Sequence, residues 1–214
     1  MMAARIEAQM ADLRERAILK LEREDRDRRR AADERAAIGI PAGDDSPWFV
    51  VTVAFGRELA VENAVKECGG EAFVAMGKGP ERRRRHRVLP ARHEVLVSGY
   101  VLVRCNWSAT AMRGLAGLEH VNGMLGGWER PMLLNAEKIR RFRAMADNGE
   151  LDYQRGGIVL KAGQRVRVTV GIFEGYEGRV VTPVREGKAV AVIEIDMLGR
   201  MVPATLPLAM LEKL

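Results

Sequence analysis

The chain reads as an α+β protein: a charged helical extension, then an α/β sandwich, then a small five-stranded β-barrel. Three observations point there. Residues 5–37 carry apolar residues at helical spacing and then a dense run of mixed charge. The middle of the chain alternates between strand-like and helix-like patterns over roughly 100 residues, as layered α+β domains do. The last part contains only short alternating runs divided by turns, the signature of a small barrel. Apolar residues make up 47% of the 214 residues, so packed cores are expected.

In the extension, Ile6, Met10, Leu13, Ala17 and Leu21 recur at steps of four and three and form one apolar stripe. From Glu22 to Arg35 nearly every residue is charged. Pairs such as Glu22–Arg26 and Glu24–Arg28 lie one helical turn apart and support a helix modestly. This pattern describes a solvated helix, or one that docks on a partner through the stripe. Gly39 to Pro47 is a linker by composition.

Trp48 to Ala54 is apolar, aromatic and β-branched, and reads as a strand. Arg57 to Cys68 has helical spacing and is stopped by Gly69-Gly70. Glu71 to Met76 is a short strand. The arginine-rich run from Arg82 to Arg87 is expected as a loop. Val95 to Arg104 is a strand broken at Gly99, Trp107 to Ala116 a helix, and Val121 to Leu125 a strand. Asn135 can cap a helix from Ala136 to Ala146, with Ile139, Phe142 and Met145 inward. Asp147 to Gly157 is polar and glycine-containing, a second linker. The expected divisions are 1–47 (extension and linker), 48–146 (sandwich), 147–158 (linker) and 159–214 (barrel). Alternating runs at 165–170, 179–184, 189–196 and 201–206 supply the barrel strands.

The net charge of +6 is uneven. Residues 1–47 hold 10 basic and 11 acidic side chains, residues 48–150 hold 16 and 11, and residues 151–214 hold 9 and 7. A surface for nucleic acid or an acidic protein therefore belongs to the middle segment. Two cysteines in apolar surroundings read as free thiols. With no signal-like start and no stretch apolar enough to span a bilayer, they favour the cytoplasm and no membrane partner.

The segment Val166 to Val180 places three valines on one strand face and sets Phe173 between Gly171 and Gly175. It resembles a KOW motif. Trp48-Phe49-Val50-Val51, then Gly99-Tyr100-Val101-Leu102-Val103, Val121 to Gly127, Asn135 to Ile139, and Leu198-Gly199-Arg200 with Pro203 resemble, in order, landmarks of the NusG family of transcription elongation factors. The resemblance covers residues 48–214. It implies an NGN-like sandwich followed by a KOW (SH3-like) barrel. Ser98 stands where the family usually has proline, Ala75 stands near another expected proline, and Leu198 stands where phenylalanine is common. Residues 1–47 have no counterpart in compact bacterial members, and these departures suggest a specialised paralogue as much as the housekeeping factor.

The resemblance implies a polymerase-binding patch at Trp48, Phe49, Tyr100 and Leu102, an aromatic anchor flanked by aliphatics of the kind that seats a partner helix. Arg82, Arg83, Arg84, Arg85 and Arg87, with Arg140 and Arg141 on the last sandwich helix, are candidates for phosphate contacts to DNA or RNA in the elongation complex. On the barrel, Ile172, Phe173, Leu198 and Arg200 are the implied partner surface for termination factor Rho or a small-subunit ribosomal protein, although Phe173 is equally suited to the barrel core. No catalytic pattern is legible, and no cofactor or metal is expected. His93-Glu94 would open a zinc-protease pattern, but Val97 occupies the second histidine's place. The implied function is elongation or antitermination by bridging the polymerase cleft. The alternative is a ribosome- or RNA-binding KOW protein without polymerase contact.

Overall fold

A computed structural model describes residues 2–39, 43, 46–79, 82–84, 87–152, 159–184, 190–197 and 199–214. The side chains of residues 2–9, 11–12, 82–84, 87–89 and 200 are not described.

The chain opens with one continuous helix, α1 (Met2–Ile38), about 55 Å long at the usual rise. Exposed ion pairs one turn apart line it, among them Arg29–Asp25 at 2.9 Å and Arg30–Glu34 at 3.1 Å. The sandwich follows as β1 (Trp48–Val53), α2 (Glu58–Glu67), β2 (Glu71–Phe73), β3 (Met76–Lys78), β4 (Arg82–Arg84), β5 (Arg87–Leu89), β6 (His93–Val95), β7 (Tyr100–Arg104), α3 (Ala109–Ala116), β8 (Val121–Met124), β9 (Leu133–Leu134) and α4 (Ala136–Asp147). Its main sheet runs β2-β7-β1-β8, with β9 beside the start of β1. Ser108 caps α3 by accepting from the Ala111 N–H, and Asn135 caps α4 by accepting from the Glu137 N–H at 2.7 Å.

Alternation along the strands assigns two faces. Phe49, Val51, Val53, Val101 and Val103 point to one core, closed by Val61 and Val65 of α2 and by Ala111 and Leu115 of α3. Trp48, Val50, Phe73 and Leu102 point to the other, closed by Ile139, Phe142 and Ala146 of α4.

The arginine-rich run is not a loop. β4 and β5 pair antiparallel, with Arg84 opposite Arg87 and Arg83 opposite Val88, a β-branched residue that favours extended backbone. Arg85 and His86 lie outside the described residues. The strand expected from Val95 to Arg104 is two strands, since Gly99 takes a left-handed φ of 86° and ends the ladder before Tyr100.

The carboxy-terminal unit comprises β10 (Arg165–Val168), β11 (Glu177–Val180), β12 (Val190–Met197), β13 (Arg200–Pro207) and β14 (Leu211–Lys213), ordered β13-β12-β11-β10-β14. A 3-10 turn, Leu208–Met210, joins the two edge strands. Five flat strands would set those edges about 19 Å apart. Three residues span only about 10 Å. The sheet must therefore curl over its core of Val166, Val168, Ile193, Ile195 and Leu206.

Two expectations about the connections need correcting. The extension is not separated from the sandwich: Ala37 and Ile38 are buried in its core, where they pack with α2 and α3. The second linker is only partly a linker. Leu151 is buried, and Asp152 accepts from the Lys78 N–H at 2.7 Å, while residues 153–158 lie outside the described residues.

Candidate functional site

β7 begins at Tyr100, paired with Thr52 of β1. The Tyr100 ring meets that of Phe173 edge-on, with centroids 5.3 Å apart at 88°. Burial raises the Tyr100 phenol pKa above its ordinary value. Beside it, a cleft of about 590 Å³ runs between sheet and barrel, lined by Thr52, Tyr100, Met124, Met197, Met201 and Val202.

The barrel loop after β10 leans on this same face. Gly171, at a φ of 93°, lies so close to the Phe142 ring that a Cβ there would sit 3.3 Å from it. Arg141 donates to Glu174 at 2.6 Å. Barrel and sandwich thus share one continuous apolar core. This corrects the expected exposed patch. Trp48, Phe49 and Leu102 are buried, and Tyr100 is half-buried. Phe49 does not even share a face with the others, because odd positions of β1 point toward α2 and α3. Trp48 and Leu102 lie under α4, and only Tyr100 is covered by the barrel, through Phe173, whose position no local pattern reports.

Trp48 is also roofed by cations. The Arg104 guanidinium lies 5.6 Å from its ring centroid and that of Arg143 5.8 Å, with Arg143 also 4.5 Å from Phe73. Arg104 bonds Glu71 at 2.6 Å. Of the arginines expected to face nucleic acid, Arg140 is exposed, but Arg141 is occupied by Glu174. The backbone of Arg82, Arg83, Arg84 and Arg87 forms the β4–β5 hairpin.

On the barrel, Ile172 and Phe173 are buried, so they present no free surface in this arrangement. Arg200 opens β13, opposite Met197. Leu198 lies outside the described residues. Arg165 and Arg167 both bond Glu177 across β10 and β11, and these bonds, Arg167's first, lower the Glu177 carboxyl pKa.

Among the described residues no group of three or more His, Cys, Asp or Glu could hold a metal ion. No described helix is long and apolar enough to cross a membrane. Sequence reasoning missed Glu58 and Glu174, each of which bonds a residue distant in the chain.

Residues 46–143 match the family described as "Transcription termination factor nusG". Residues 46–143 thus form a NusG-family domain. The match covers the sandwich and its landmarks, including the β7 strand that carries Tyr100. Among solved structures, "Domain interaction in Thermotoga maritima NusG" is 19% identical and covers 80% of this chain and 99% of that one, with a TM-score of 0.42. "Crystal Structure of MjSpt4:Spt5 complex conformation A" is 17% identical and covers 78% and 97%, with a TM-score of 0.25. No match was found among curated proteins. The NusG family is one of transcription factors rather than enzymes.

Proposed function

We propose that this chain is a transcription elongation and antitermination factor that binds RNA polymerase and alters pausing and termination. The observation that carries the reading is the family match over residues 46–143. The sandwich would dock through Tyr100 and its neighbours, bridge the polymerase cleft and favour the active state by binding it more tightly than the paused one. The exposed Arg140, then Arg82, Arg83, Arg84 and Arg87 of the paired β4 and β5, and Arg85 next in sequence are the candidate contacts to DNA or RNA phosphates. The barrel, read as a KOW module, would recruit Rho or a small-subunit ribosomal protein.

Tyr100 and the 171–174 loop cover each other in the closed arrangement. On this reading that arrangement is a resting form, and polymerase binding requires the barrel to move aside. The test is affinity of the full chain for RNA polymerase. Tyr100→Ala should weaken it by about 2 kcal/mol, the loss typical of an aromatic hot spot. Circular dichroism must first show an intact fold. Unchanged affinity in a folded variant overturns the docking surface, and no binding by the unaltered chain overturns the function.

A further inference from the structure

We propose that Glu58 is the positioning residue for Tyr100. Glu58 opens α2 and is only 2% exposed, the sole charged side chain buried among the described residues. A buried carboxylate is costly unless something specific holds it. Here its Oε1 accepts from the Gly99 N–H at 2.7 Å, across 41 residues of chain. Its place in the first turn of α2 also suits a negative charge.

Gly99 is the hinge from which β7 starts. Its φ of 86° belongs to the left-handed region, and its carbonyl accepts from the Val53 N–H at 2.9 Å. Its two backbone hydrogen-bonding groups are therefore gripped from opposite sides, by the end of β1 and by the start of α2. The preceding residue, Ser98, leaves its own φ unrestrained, as a proline would not. Glycine is also the conformationally most permissive residue type. Among the described residues the Glu58 carboxylate is the one acceptor of the Gly99 N–H. The next residue is Tyr100, whose ring direction follows from the first peptide of β7. Glu58 touches neither the Tyr100 ring nor any partner. It acts by fixing the backbone that aims the ring at Phe173 in the closed form and, on the proposed function, at polymerase in the open one.

The polymerase half of this inference rests on that proposed function, so the experiment has one arm that does not. Full-length chains carrying Glu58→Ala, Glu58→Gln and, as a control in the same helix, Val61→Ala are compared. In amide NMR spectra, Glu58→Ala should shift the Gly99 amide proton and weaken the Tyr100–Phe173 ring contacts. Glu58→Gln, which keeps an acceptor oxygen, should preserve those contacts. Val61→Ala should leave both signals in place while lowering the melting temperature. In polymerase binding, Glu58→Ala should lose at least about fivefold more affinity than Val61→Ala, with Glu58→Gln near the unaltered chain. If Glu58→Ala does not fold, Glu58→Asp serves, since it keeps the charge but falls one methylene short. Unmoved Gly99 and Tyr100 signals in the Ala or Asp variant overturn the positioning role. So does an affinity loss no greater than that of Val61→Ala. If Tyr100→Ala binds polymerase normally, the docking reading fails by itself, and the ring contacts to Phe173 still decide the role of Glu58.

Discussion

Cys105 is buried behind β7, and burial pushes its thiol pKa to about 11. The thiolate is the reactive form, so roughly one molecule in a thousand is poised to react near pH 8. The pKa of Cys68, at the end of α2, is also raised, chiefly by burial and opposed by Arg35, but its side chain is partly exposed. A thiol-reactive dye should therefore modify Cys68 in the native chain and Cys105 only after denaturant is added. Equal rates for the two would mean that the corner between β7 and α3 opens readily. The sequence supported reading both as free thiols, but the difference between them is a matter of depth. The same holds for Trp48 and Phe49. Adjacent in sequence and equally aromatic, they face opposite cores because strand positions alternate.

At the scale of elements, α1 divides its work in a way opposite to its apolar pattern. The stripe that periodicity singles out is not packed: Met10, Leu13 and Leu21 are each half or more exposed. The charged end is what anchors the helix. Ala37 and Ile38 enter the core, and Glu34 bonds Arg113 of α3 at 2.9 Å and Arg30 at 3.1 Å. These bonds, Arg113's first, lower the pKa of Glu34. Gly114 of α3 lies against the Glu34 carbonyl, where a Cβ would collide with backbone. Removing residues 1–30 should therefore leave the melting temperature nearly unchanged. Removing residues 1–39 should lower it markedly, and Ile38→Ala alone should cost about 2–5 kcal/mol, as for other fully buried aliphatic truncations. Chemical denaturation of the three chains checks this. An equal loss for both truncations would mean the exposed shaft is also structural.

For the whole molecule, the question is whether barrel and sandwich part. Their contact combines the Tyr100–Phe173 ring pair, Gly171 against Phe142, and the Arg141–Glu174 bond. Arg141 is half-exposed, so the ion pair alone contributes little, on the order of 1 kcal/mol or less. Arg141→Glu sets two carboxylates face to face and should shift the balance toward an open form without touching either core. Small-angle scattering should then show a larger radius of gyration, and the Tyr100 phenol should ionise nearer its ordinary pH, because its raised pKa comes from burial. On the proposed function, polymerase affinity should rise with opening, since the closed population no longer competes. An unchanged scattering profile would mean that the apolar contact holds the domains together without the charge pair.

Local physics was enough for most of the fold. Alternation, helical spacing, the glycine stops and the Asn135 cap gave the order of strands and helices, and that order carries the family resemblance. The β4–β5 hairpin went unrecognised because a run of arginines suppresses the apolar alternation by which strands are read. What only the tertiary structure decided is which faces are covered. Ile38 in the core, Glu58 on Gly99 and Arg141 on Glu174 join residues far apart in the chain, the last two 41 and 33 positions apart. No local period encodes such pairs. They follow from how layers stack once the elements exist, and stacking put Trp48, Phe49 and Leu102 under the sandwich's own helices and Tyr100 against the barrel.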